Sequence, residues 1–148
     1  MIKRVELQHK IKYFGKEYSV ILHNDSDFTT AFKTLQYPCG ITSNTENALI
    51  PSDPDIYNEI FIENGHRTVH FYSDENGSNE KRREFIEGIF NKYNTNRLFL
   101  FLIVNNNATM HDIVNIIDGF CKDSEDCYMS VILDSKTTKE KVRIVVGV

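Results

Sequence analysis

The 148-residue chain has no tryptophan, only three prolines, three cysteines and seven glycines, and no long apolar run. Each shortage excludes something. Cys39, Cys121 and Cys127 cannot all pair within one chain, so a disulfide scaffold is excluded and the thiols are read as reduced and cytosolic. The seven scattered glycines form neither GxGxxG nor GxxxxGKS/T, which removes the glycine-rich loops that cradle phosphates. The longest apolar run, Leu98 to Val104, is far short of the about 18 residues a bilayer span needs. The N-terminus starts basic but lacks the apolar stretch of about 7–15 residues that makes a signal peptide. The expectation is a cytoplasmic chain with no membrane anchor.

What is present suits a single domain, residues 1–148. A chain of this length can bury roughly two-thirds of its unfolded surface without metal or disulfide staples. Apolar residues make up 41%, with ten Phe for bulk, which excludes general disorder. Charge is unevenly spread. The net charge is −4, yet residues 23–80 alone carry ten acidic and two basic groups. That stretch disfavours nucleic acid as a partner and suits a basic one if its acids share a face; a solvated acidic surface is the alternative.

Periodicity places the elements. Val5, Leu7, His9, Ile11 and Tyr13 alternate as in a half-buried strand, and Gly15-Lys16 turns the chain into a second strand, Tyr18 to Leu22. Asp25, Ser26 and Asp27 can cap a helix with Phe28, Ala31, Phe32 and Leu35 on one face, ended by Pro38 and Gly40. Residues 40–55 lack periodicity and read as the longest loop. Asn64-Gly65 then joins two strand-like runs as a hairpin. A helix from Glu80 to Tyr93 follows, with Phe85, Ile86, Ile89, Phe90 and Tyr93 inward and Lys81, Arg82, Arg83, Glu84 and Glu87 on the polar face. Leu98 to Val104 is apolar on both alternating faces, the mark of a central strand covered on both sides.

Thr109 and Asp112 fit a capping box for a third helix with a stripe of Met110, Ile113, Val114, Ile117, Phe120 and Cys121. Strands Tyr128 to Leu133 and Val142 to Val148 close the chain, the last pairing either inside the sheet or with another copy, which leaves a homo-oligomer open. The fold expected is α+β (α/β), a mixed sheet of about five to seven strands with three helices in the order β-β-α-β-β-α-β-α-β-β.

Chemistry is sparse. His66 and His70 have the spacing of helical zinc ligands but fall on a strand, where residues four apart stand about 13 Å from each other. His111 with Cys121 and Cys127 lacks a close cysteine pair, so those thiols are expected in or beside the core. Cys39, in the turn YPCG, is the cysteine to test for reactivity, with an inert thiol as the alternative. Carboxylates such as Asp53/Asp55 or Asp25/Asp27 suit caps and turns better than acid–base work. The 17 Phe and Tyr fall mostly on core faces rather than on a base-stacking platform. No catalytic residue, metal site or cofactor is assigned.

Between about Ile60 and Leu133 the order of strands and helices, with the string FLIVNNNATMHDIVNIID, resembles the periplasmic domain of ExbD/TolR-type biopolymer-transport proteins. The resemblance covers about half the chain. It implies a sheet scaffold and no functional residue, because the family's N-terminal transmembrane helix is replaced here by an amphipathic strand pair.

The function expected is a non-enzymatic protein-binding domain, an immunity- or antitoxin-type inhibitor that neutralises a basic toxin, such as a nuclease domain, through an acidic surface. Its contact residues would be Asp53, Asp55, Glu59 and Glu63, with Asp123, Glu125 and Asp126 as the other acidic loop. The alternatives are a structural or regulatory module and a small enzyme with a dispersed active site.

Overall fold

A computed structural model describes residues 9–13, 16–24, 26–31, 48–50, 65, 68–75, 77–121 and 126–148. Seven strands and two helices are labelled in chain order: β1 (His9–Tyr13), β2 (Lys16–His23), β3 (Ala48–Ile50), β4 (Thr68–Glu75), α1 (Asn79–Tyr93), β5 (Arg97–Val104), α2 (Met110–Asp118), β6 (Asp126–Leu133) and β7 (Lys141–Gly147). Residues 28–31 are also helical, where the first helix was expected.

All seven strands form one mixed sheet in the order β1-β2-β4-β7-β5-β6-β3. β2 and β4 are parallel, as are β5 and β6, and β7 runs antiparallel to both β4 and β5. The carboxyl ends of β2, β4, β5 and β6 therefore share one edge of the sheet. The mixed sheet expected from periodicity is the fold observed.

β5 shows why. From Leu98 to Val104 every residue is buried, because β7 and β6 flank it and each face of the sheet carries a core. On one face Phe99 and Phe101 pack with Tyr18, Val20, Val69, Phe71, Ala31 and Val145. On the other, Leu98, Leu100, Leu102 and Val104 pack with Ile86 and Ile89 of α1 and Ile113 of α2. Burying a side chain of this size contributes roughly 1.5–3 kcal/mol.

Local chemistry sets the helix ends. Ser78 accepts from the Lys81 backbone to start α1, and Asn94 ends it in the left-handed region at φ 51°. Thr109 and Asp112 form the reciprocal capping box that their spacing predicts for α2.

Several expectations change. The loop expected over 40–55 contains β3, which pairs with Val131 and Ile132 of β6. Gly65 has the positive φ of 67° that a tight turn needs, but the first arm of the expected hairpin lies outside the described residues. β4, meant as its second arm, is bonded by β2 on one side and β7 on the other, so no edge of β4 is left for hairpin pairing. β7 pairs inside the sheet. Two members of the stripe expected on α2 face solvent, Met110 at 53% and Val114 at 47% exposure, because the helix rests on the sheet through Ile113. Arg82, placed on the polar face of α1, is fully buried.

Candidate functional site

The parallel pair β2–β4 sets up the site. The chain leaving β2 goes to one face of the sheet, where Phe28 and Ala31 join Tyr18, Val20 and Phe71. The chain leaving β4 goes to the other face, where α1 lays Ile86 and Ile89 beside Tyr72. Connections that diverge in this way leave a crevice between the carboxyl ends of the two strands, the usual ligand position in open α/β sheets. Here it is a cavity of about 650 Å³. Asn24, Asp27 and Thr30 after β2, Ser73, Asp74 and Glu75 at the end of β4, Gly77, Ser78 and Lys81 at the start of α1, and Lys141 and Arg143 of β7 line it.

Cross-ties hold the two lips together. The Ser26 hydroxyl donates to the His23 carbonyl and accepts from the Ser73 backbone N–H at 2.9 Å. The Ser73 hydroxyl donates to Ser26 Oγ at 2.9 Å, and Asn24 Nδ2 donates to the Ser73 carbonyl at 3.1 Å. Asp27 accepts from the Thr30 backbone and hydroxyl at 2.6 and 2.9 Å, which caps the helical residues that follow.

Beneath the crevice lies a buried ionic network. Arg82 donates through Nε and Nη2 to the two Asp74 oxygens, each at 2.8 Å, and through Nη1 to Asn79 at 3.0 Å and Glu140 at 3.2 Å. Asp74 also accepts from Tyr72 Oη at 2.8 Å and from the Gly77 backbone N–H at 3.2 Å. Burial opposes the charge on Arg82, but its hydrogen bonds to Asp74 and Glu140, and their charges, outweigh it and raise the pKa. Burial, followed by the bond to Asp74, raises the Tyr72 pKa too, so its proton stays in place as a donor. Asp74 leaves Gly77 no room for a side chain: a Cβ there would lie 2.4 Å from the carboxylate carbon.

Lys81, Lys141 and Arg143 are the cations facing the cavity. Lys141 lies 3.5 Å from Glu75 in an exposed pair. Burial pulls the Arg143 pKa down, and the charges of Asp27 and Glu75 oppose that pull. With Asp74 neutralised by Arg82, three cations and two acids line the rest of the cavity, a mixed polar lining in which Asp27 and Glu75 can accept hydrogen bonds.

On the α1 face, His23 Nε2 and His70 Nδ1 meet at 2.8 Å, one donating to the other. His70 is buried, and its Nε2 has no partner among the described residues. Burial first, then the charges of His23 and Lys92, hold its pKa down at about 4.

Of the site residues expected from sequence, only Asp126 is among the described residues. Asp53, Asp55, Glu59, Glu63, Asp123 and Glu125 lie outside the described residues, as do Cys39, His66 and Asp25, and Asp126 opens β6 in register with Arg97. The acidic docking surface is therefore not assembled by the described residues. His70 lies on β4 as expected, and Cys121 and Cys127 pack beside the core as expected. Sequence reasoning missed the crevice because its residues come from three separated segments; the signals available were Ser78 as a cap and the bases Lys141 and Arg143 on alternate positions of a strand.

No family model and no curated protein matches the chain. Among solved structures it is similar to FtsZ from M. jannaschii. A tryptophan-to-tyrosine variant is 12% identical with a TM-score of 0.47, covering 84% of this chain and 42% of that one. The empty FtsZ dimer is 10% identical with a TM-score of 0.47, covering 84% and 40%. The chain thus spans less than half the length of the FtsZ chains it matches. Two expectations are corrected. Nothing points to ExbD/TolR, and that resemblance is withdrawn. The non-enzymatic assignment is withdrawn as well, since nothing supports it. Among the described residues no helix is long and apolar enough to cross a membrane.

Proposed function

We propose that the chain is a small-molecule-binding domain whose crevice between β2 and β4 holds a hydroxylated anion of the sugar-phosphate class. One observation carries this reading: the polar cavity lies where the connections of two parallel strands diverge, and Lys81, Lys141 and Arg143 reach it from α1 and β7. The anionic end faces these cations and the N-terminus of α1, where charge-assisted hydrogen bonds are strongest. The hydroxyl end faces Asp27 and Glu75. A cytoplasmic location belongs to the same proposal and rests on the odd number of cysteines.

The test is calorimetric titration of the full chain with a sugar phosphate, the parent sugar and inorganic phosphate. Saturable binding of the sugar phosphate is expected, with phosphate weaker and the neutral sugar weakest. The double variant Lys81→Gln/Arg143→Gln should weaken binding by roughly tenfold or more, since each charge-assisted bond contributes about 1.5–3 kcal/mol. No binding across a panel of phosphorylated sugars, or binding untouched by the double variant, would overturn the proposal.

A further inference from the structure

At the opposite edge of the sheet, where the parallel strands begin, Cys121 and Cys127 bring their sulfurs to 3.8 Å. Neither is in a disulfide, and both are half-buried, so solvent reaches the pair. Each thiol is held by a separate element. Cys121 closes the last turn after α2, its N–H donating to the Ile117 carbonyl at 2.8 Å. Cys127 is the second residue of β6, in register with Leu98 of β5. Two sulfurs at van der Waals contact need to close by roughly 1.8 Å to reach bonding distance, a movement side-chain rotation can supply.

We propose that Cys121 and Cys127 form a reversible thiol–disulfide pair, oxidised by a hydroperoxide, that locks the end of α2 to the start of β6. One thiolate attacks a peroxide oxygen, breaking the O–O bond and becoming a sulfenic acid. The second thiolate attacks that sulfur and expels hydroxide. Two thiols and one hydroperoxide thereby give one disulfide, one alcohol and one water, or two waters when the oxidant is hydrogen peroxide. Each sulfur loses one electron and the peroxide gains two. The pair is also the place where sulfenic acid is resolved fastest, because the resolving thiol is already in contact. Residues 121 and 127 enclose a short ring, so the oxidised form loses conformational freedom mainly in its unfolded state.

The experiment treats the folded full chain with hydrogen peroxide, quenches it, and maps disulfide-linked peptides by mass spectrometry without reduction. The expected result is a loss of two hydrogens, a drop from three titratable thiols to one, and a cross-link between the peptides carrying Cys121 and Cys127, all reversed by dithiothreitol. Melting temperature should rise by roughly 6 °C on oxidation and return on reduction. Cys39→Ser should leave the cross-link intact, whereas Cys121→Ser and Cys127→Ala should each abolish it; peptide mapping of the unaltered chain keeps the test independent of how those variants fold. Oxygen addition at single cysteines without a cross-link, a cross-link through Cys39, or three surviving thiols would overturn the proposal.

Discussion

Asp74 and Glu75 are neighbours at the end of β4, both acidic, both paired with a base, yet they do different work. Asp74 points to the α1 face, where Arg82 meets it bidentately with the guanidinium fully buried. Glu75 points to the other face, 73% exposed, and meets Lys141 at 3.5 Å. The period of two along a strand sends one carboxylate beneath a helix and the other to water. An exposed pair is worth about 0–1 kcal/mol, while removing one member of a buried pair leaves a charge with nothing to offset its desolvation. The buried pair therefore seats α1 on the sheet, and the exposed pair is at liberty to exchange partners with a ligand.

The sharpest way to break this contrast is Arg82→Met, which strands the Asp74 carboxylate. It should cost about 3–5 kcal/mol in urea unfolding, and the double variant Asp74→Leu/Arg82→Met should recover much of that. If Arg82→Met cost no more than a surface substitution, the network would not seat α1.

Next is His70, on the same face of β4 as Asp74 but with a ring nitrogen that has no partner among the described residues. Its pKa falls from 6.5 to about 4, so the unfolded chain binds more protons across that window. Stability is full above pH 6.5 and drains away as pH falls toward 4, by about 2 kcal/mol between pH 7 and pH 5. Subtracting the profile of His70→Gln from that of the unaltered chain isolates this slope, and superimposable profiles would remove it.

Gly77→Ala sharpens the comparison more gently. Its Cβ would meet a carboxylate pinned by Arg82, so the end of β4 must shift, at about 1–3 kcal/mol by chemical denaturation. The smallest effect belongs to Glu75→Gln, expected within about 0.5 kcal/mol of the unaltered chain in the same measurement. A loss above about 1 kcal/mol there would erase the distinction between the two pairs.

Much of the sheet was legible. Alternation announced β1, the all-apolar run announced β5, and Thr109 with Asp112 announced the start of α2, since each depends on contacts a few residues away or on a strand's own periodicity. The hairpin failed for a different reason. Asn64-Gly65 describes a turn, but which strand pairs with β4 was decided by β2 and β7, residues far away in the chain.

The sequence by itself determined most of the strands, the capping box that starts α2 and the burial of β5 on both faces, because backbone propensity and hydrophobic period act locally. Only the tertiary structure decided that Arg82 is a core residue, that Cys121 touches Cys127, and that Lys81, Lys141 and Arg143 share one cavity. Those outcomes follow from strand order and from the face to which each connection turns, and a one-dimensional pattern of charge and hydrophobicity specifies neither.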